Sequence, residues 1–147
     1  MQPQICIITG STLGSAEYVG DHLSEILQQQ GYTTRVENRA ELADVLNDKI
    51  WLIVTSTHGA GELPDNLRPF IWQIAQEKTD LSHLKFAVVG LGNSDYDTFC
   101  FAVDEVEQTL LKQGAQQVCP SLRIDVLTEF DHDQCAEEWL PNFTSQL

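Results

Sequence analysis

Three short stretches of uninterrupted apolar residues most constrain the fold of this chain. They are Ile5–Ile8, Ile50–Val54 and Phe86–Leu91, and each is followed by small and polar residues. A strand that is apolar on both faces is typical of the centre of a parallel sheet with helices on each side. We therefore predict three central strands.

Segments with helical spacing separate these strands. The first, from Ala16 to Gln30, ends at Gly31, where a left-handed cap is expected. We predict a short helix over Glu41–Leu46 and edge strands over Thr33–Glu37 and Leu122–Val126. The longer helices have predicted buried positions at Ala16, Val19, Gly20, Leu23 and Leu27, at Leu67, Phe70, Ile71 and Ile74, at Phe99, Val103, Val106 and Leu110, and at Ala136, Trp139, Leu140 and Phe143.

Local signals add detail to these helices. Asp65 or Asn66 is the expected cap of the helix that contains Pro69 in its first turn. Pro141 lies inside the last helix, where we expect a kink or a restart. We interpret Glu17, like Asp65, Glu105 and Glu107, as a solvated or capping charge.

The alternation of strands and helices predicts an α/β fold, with a doubly wound parallel sheet and helices on both faces. At 147 residues the chain has the length of a single domain, which we take as 1–147. Right-handed crossovers place every strand-to-helix loop at one edge of such a sheet. Its ligand binds at that edge, where the strand order reverses.

Composition excludes several functions. No apolar run is long enough to span a membrane, and no secretory signal precedes the first strand. The four cysteines have no CxxC spacing, which favours buried thiols in a reducing cytoplasm over disulfides or a metal site. The formal net charge of −14 disfavours binding to nucleic acid and favours partners with basic docking faces.

The loop from Gly10 to Glu17 has the composition of a phosphate site. It joins a strand to a helix, whose first turn has unpaired backbone N–H groups and the positive end of the helix dipole. Hydroxyl groups from Ser11, Thr12 and Ser15 add donors, and the loop has no lysine or arginine. This pattern favours a tightly held phosphate monoester, although an ordinary capped turn has the same composition.

Two further loops, Ser56–Pro64 and Gly90–Cys100, each contain an aromatic ring among small polar residues. His58 and Tyr96 are placed to cover the faces of a flat heterocycle, while free backbone groups bond its edges. A flat aromatic cofactor with one phosphate describes FMN. The alternatives are that Tyr96 caps the following helix from the surface, that His58 is solvated, and that Phe99 belongs to the core.

The three loops, in this order and at these strand ends, resemble those of the short-chain flavodoxins over essentially the whole chain. The resemblance implies a five-stranded sheet in the order 2-1-3-4-5 and FMN as cofactor. It places the cofactor contacts at Ser11, Thr12, Leu13, Gly14, Ser15, Ala16, Ser56, Thr57, His58, Gly59, Ala60, Gly61, Leu91, Gly92, Asn93, Tyr96, Phe99 and Cys100. It assigns no catalytic residue and no metal ligand.

The sequence departs from the family pattern at two positions. Leu13 replaces a threonine that donates to the phosphate, and we expect this change to weaken phosphate binding by about 0.5–1.5 kcal/mol for a lost neutral hydrogen bond. The alternative is that Leu13 packs against the loop as an apolar anchor. His58 replaces the tryptophan or tyrosine that covers the inner flavin face, and we expect looser binding and an altered potential.

The resemblance implies a monomeric one-electron carrier. Its expected partners are an NADPH-dependent flavodoxin reductase and an iron–sulfur acceptor enzyme, for which biotin synthase is a candidate. Two other functions stay open: an FMN-dependent quinone or nitro reductase, and a binding module that has lost the flavin. A phosphoacceptor receiver domain is set aside, because Ile8, Thr9 and Gly10 stand where it would have an acidic cluster.

Overall fold

The computed structural model describes residues 4–10, 15–56, 63–92, 101–126 and 131–147, with Ser15 described by its backbone alone. Its strands are β1 Gln4–Gly10, β2 Thr33–Glu37, β3 Ile50–Ser56, β4 Lys85–Gly92, β5 Gln116–Gln117 and β6 Leu122–Asp125. Its helices are α1 Ser15–Gln29, α2 Leu42–Val45, α3 Arg68–Glu77, α4 Phe101–Lys112 and α5 His132–Thr144.

The strands form one parallel sheet in the predicted order 2-1-3-4-5. The fifth position differs from the prediction, because two short segments share it. β5 pairs with Lys85 and Phe86, whereas β6 pairs farther along β4, from Val89 to Gly92. Pro120 lies between the two segments and has no N–H to donate to the sheet, which favours the interruption.

Apolar side chains cover both faces of the sheet, as predicted. In β1, Ile5 and Ile7 pack into one core cluster, with residues from α1 and α5. Cys6 and Ile8 point to the opposite face, into a cluster that includes residues of α2, α3 and α4. Successive strand residues point to opposite sides, so a central strand must be apolar throughout.

The predicted helices are confirmed. Gly31 has the expected left-handed backbone after α1, with a φ of 97°, and Gly114 has the same φ after α4. One local prediction is wrong. The N-cap residue of α3 is Leu67, not Asp65 or Asn66, because the Asn66 side chain bonds to other parts of the chain. The last helix has no restart at Pro141 and continues to Thr144, since Leu140 and Phe143 on either side are buried, while the kink stays a prediction.

The cysteine prediction is confirmed for Cys6 and Cys119, which are buried free thiols, whereas Cys135 is half-buried. Within the described ranges, no helix has the length and apolar character needed to cross a membrane.

Candidate cofactor site

The central strands end together at one edge of the sheet. Gly10 of β1 pairs with Thr55 of β3, and Ser56 pairs with Leu91 of β4. β1 has β2 on one side and β3 on the other, so the order of the chain reverses between β1 and β3. In sheets of this kind the ligand lies in the crevice at that reversal. The three strands end in small residues, Gly10, Ser56 and Gly92.

The N-terminus of α1 lies at the same edge. α1 begins at Ser15, shortly after β1 ends, and Ala16 in its first turn is completely buried. The first N–H groups of a helix have no partner within the helix and favour an anion. The edge therefore has the backbone donors that a phosphate group requires.

A cluster of hydrogen-bonded side chains holds this edge together. Thr9, which is fully buried, donates from Oγ1 to Asn38 Oδ1 at 2.6 Å and lies 3.5 Å from Glu17 Oε1. Asn66 donates from Nδ2 to Glu17 Oε1 at 3.3 Å and to the backbone oxygen of Asn38 at 3.1 Å. We call these four residues the Thr9 network. Glu17 is therefore a hydrogen-bond acceptor in this network and not simply a solvated charge.

The end of β1 is packed tightly against the segment that precedes α3. A Cβ atom at Gly10 would lie 2.6 Å from Leu67 Cβ and 3.3 Å from Asn66 Oδ1. No larger residue fits there without a shift of the backbone. This contact positions the end of β1 against the start of α3.

The structure places five of the predicted contact residues at this edge: Ser15 and Ala16 in α1, Ser56 in β3, and Leu91 and Gly92 in β4. The remaining predictions lie outside the described residues: Ser11, Thr12, Leu13, Gly14, Thr57, His58, Gly59, Ala60, Gly61, Asn93, Tyr96, Phe99 and Cys100. Sequence reasoning missed the roles of Thr9, Asn38 and Asn66. Thr9 gave a signal, since it is a polar residue that directly follows an apolar run within the same strand.

A surface cavity of about 540 Å³ lies away from this edge. Its lining includes Lys78 and Lys112, which lie at the C-terminal ends of α3 and α4, far from the strand ends. A smaller cavity, of about 200 Å³, lies beside the Thr9 network and is lined in part by Ala40, Asn66 and Phe70.

Comparison with known proteins agrees with this geometry. The family model described as flavodoxin matches residues 7–139. The chain belongs to the flavodoxin family. It is 58% identical to the Protein MioC homolog of Pasteurella multocida over 147 residues, which cover 100% of both chains. It is 44% identical to Protein MioC of Escherichia coli strain K12 over 143 residues, which are 97% of each chain.

The similarity extends to three dimensions. A cysteine-to-alanine mutant of flavodoxin from Pseudomonas aeruginosa superposes with a TM-score of 0.91 at 35% identity, over 98% of each chain. The predicted resemblance to a short-chain flavodoxin of the MioC type is thereby confirmed. Flavodoxins are FMN-binding electron-transfer proteins, and FMN is the cofactor of this chain. The helix N-terminus beside small residues at three strand ends fits a phosphate-bearing planar cofactor.

Proposed function

We propose that residues 1–147 act as a single, monomeric, cytoplasmic FMN-binding domain that carries electrons one at a time and has no substrate of its own. Membership of the flavodoxin family supports the redox role. The observation that carries the proposal is the position of the α1 N-terminus at the β1–β3 reversal, beside the ends of three strands.

We assign the FMN phosphate to the residues between β1 and the first turn of α1. The donors are the hydroxyl groups of Ser11, Thr12 and Ser15 and the backbone N–H groups of residues 11–16. His58 and Tyr96 cover the two faces of the ring, and the backbones of Ser56–Gly61 and Leu91–Asn93 bond its edges, with Phe99 and Cys100 nearby. Leu13 and His58 weaken the site relative to the family pattern.

Bound FMN supplies the redox chemistry, and the protein binds it, orients it and tunes its potential. Carboxylates raise the energy of added negative charge nearby, and the chain has 22 Asp and Glu against 8 Lys and Arg. We therefore expect the second electron to enter at a lower potential than in free FMN, so that the fully reduced protein is a strong reductant.

The same charge suits partners with basic faces. We propose an NADPH-dependent flavodoxin reductase as electron donor and an iron–sulfur enzyme as acceptor, with biotin synthase as a candidate. Attraction between opposite charges speeds encounter and orients the two proteins.

The deciding experiment is an optical titration of the apoprotein with FMN, followed by stepwise reduction under anaerobic conditions. We expect shifted flavin bands, quenched fluorescence, and uptake of electrons in two separate steps. Failure to bind FMN at micromolar concentration would favour a binding module that has lost its cofactor. Steady oxidation of NADPH by the loaded protein, without a reductase, would favour a quinone or nitro reductase.

A further inference from the structure

We propose that the Thr9 network positions the first turn of α1 for the FMN phosphate, so that Thr9 and Asn66 set the preference for FMN over riboflavin without touching the cofactor. This inference rests on the proposed function for its ligand. It concerns residues that the structure describes and that lie beside the phosphate donors.

The network connects four parts of the chain. Thr9 belongs to the end of β1, Glu17 to the first turn of α1 and Asn66 to the segment before α3, and Asn38 directly follows β2. Asn66 reaches Glu17 at 3.3 Å and the Asn38 backbone oxygen at 3.1 Å with one nitrogen. The orientation of the α1 N-terminus is thus coupled to the elements on both sides of β1.

The location of these polar groups argues for a positioning role. A buried hydroxyl adds little to stability when it replaces an apolar group of the same shape, because it must first lose its bonds to water. Thr9 is nevertheless fully buried and donates at 2.6 Å to Asn38, which is itself exposed. A directional bond of this kind fixes geometry, which burial alone does not.

The geometry matters because hydrogen bonds to a phosphate are sensitive to distance. They require donor–acceptor separations of about 2.7–3.2 Å, and they weaken when the donor group moves. A small shift of α1 relative to β1 would lengthen several of them together. Riboflavin lacks the phosphate, so its affinity does not depend on these donors.

The test compares the affinities for FMN and riboflavin in matched variants. Thr9→Val removes the hydroxyl at constant shape, Asn66→Ala removes both amide bonds, and Thr9→Ser keeps the hydroxyl. Ser24→Ala is the control, because Ser24 bonds Thr34 at 2.7 Å from the same helix, outside its first turn.

We expect Thr9→Val and Asn66→Ala to raise the Kd for FMN about 3- to 10-fold while the Kd for riboflavin changes less than about twofold. Thr9→Ser and Ser24→Ala should leave the ratio of the two constants unchanged. A parallel loss of affinity for both ligands in Thr9→Val and Asn66→Ala, or a changed ratio in Ser24→Ala, would overturn the proposal.

A second measurement does not depend on the cofactor. In the apoprotein, we expect amide hydrogen exchange at residues 19–21, whose N–H groups bond back to the first turn, to be faster in Thr9→Val than in Ser24→Ala. The reason is that the chain of bonds from Thr9 through Asn38 and Asn66 to Glu17 is broken at β1. Equal exchange rates would overturn the positioning role. If the wild-type protein binds no FMN, the proposed carrier function fails, and the exchange rates alone decide whether the network orders this turn.

Discussion

Gly20 of α1 faces the methyl group of Thr9 in β1 at a distance that leaves no room for a side chain. A Cβ atom at position 20 would lie 2.7 Å from Thr9 Cγ2 and 3.4 Å from Ile7 Cγ2. Glycine within a helix costs about 1 kcal/mol relative to alanine. Here that cost is offset, because the missing side chain lets α1 approach the sheet closely.

Gly20→Ala should therefore lower the free energy of unfolding by about 1–2 kcal/mol, since the stiff Thr9 side chain cannot move away. In a Thr9→Ser background the obstructing methyl is gone, and the same change should be neutral or stabilising by up to about 1 kcal/mol. Urea denaturation of the wild type, of Gly20→Ala, of Thr9→Ser and of the double variant measures the coupling between positions 9 and 20. Equal effects in both backgrounds would show that the contact does not restrict position 20.

Cys6 has an unusual environment on the other face of β1. Burial raises the pKa of its thiol to about 12 from 9.0, the Arg35 guanidinium opposes the rise, and the carboxylates of Asp48 and Glu37 add to it. At a pH between 9.0 and about 12, the Cys6 thiol has lost its proton in the unfolded chain and has kept it in the folded chain. Stability must then fall as the pH rises through this window.

We expect the Cys6 thiol to lower the free energy of unfolding by up to about 1.4 kcal/mol for each pH unit above 9. Urea denaturation at pH 8, 9 and 10 should show a shallower decline for Cys6→Ala than for wild type. Ser24→Ala, which removes a hydroxyl that does not titrate in this range, is the control and should keep the wild-type slope. Identical slopes for Cys6→Ala and wild type would exclude this effect.

At the level of elements, α5 tolerates a proline because its packing compensates. Pro141 has no N–H for the Glu137 carbonyl, yet Ala136, Trp139, Leu140 and Phe143 of the same helix are all buried. The free energy gained by burying these side chains exceeds the cost of the missing hydrogen bond. The helix therefore continues through Pro141.

Pro141→Ala should raise the free energy of unfolding by about 1–3 kcal/mol, because it restores a helical hydrogen bond at an exposed position. Asn142→Ala, at the neighbouring exposed position, should gain no more than about 0.7 kcal/mol. Thermal and urea denaturation provide the comparison. A loss of stability in Pro141→Ala would mean that the proline shapes the helix in a way that its packing requires.

Arg35 connects the edge strand β2, which pairs with β1, to α2 and the segment that follows it. Its guanidinium contacts Asp48 at 2.5 Å, Glu37 at 3.1 Å and the backbone oxygen of Asp44 at 3.3 Å. The Asp48 side chain is 14% exposed, so an unpaired carboxylate there would be poorly hydrated. This pair should contribute more than one between exposed side chains.

Arg35→Gln should lower the free energy of unfolding by about 1–3 kcal/mol, as expected when a part-buried carboxylate loses its partner. Arg123→Gln is the matched control. Arg123 contacts Asp104 at 2.6 Å and Glu107 at 3.7 Å, and the side chains of Arg123, Asp104 and Glu107 are 35%, 44% and 21% exposed. The control should lose less than about 1 kcal/mol. Equal losses would indicate that burial of Asp48 has no energetic consequence.

At the scale of the whole molecule, net charge is the dominant property. The formal charge of −14 produces a field that salt screens over about 8 Å at physiological ionic strength. Reduction by the proposed partner, an NADPH-dependent flavodoxin reductase, should slow at least about threefold between about 20 and 300 mM salt. Stopped-flow absorbance measures the rate, with a small uncharged reductant as control. A rate that salt leaves unchanged would argue against electrostatic docking.

The spacing of apolar residues determined most of the fold. Strands that are buried on both faces give short apolar runs, and amphipathic helices give apolar residues at helical spacing, so both can be identified from the local sequence. Ile5–Ile8, Ile50–Val54 and Phe86–Leu91 each became a central strand, and Gly31 ended its helix. β5 left no such pattern. Its two glutamines pair because β4 presents an open edge, which is a property of the assembled sheet.

The sequence by itself also determined the class of site, because three loops of distinctive composition follow three apolar strands. Tertiary structure decided how the site edge is held. Asn66 looks like a helix cap and Glu17 like a solvated charge, yet they bond to each other at 3.3 Å and tie α1 to the start of α3. Their separation in sequence hides this contact, since hydrogen bonding across elements depends on distances that exist only after the chain has folded.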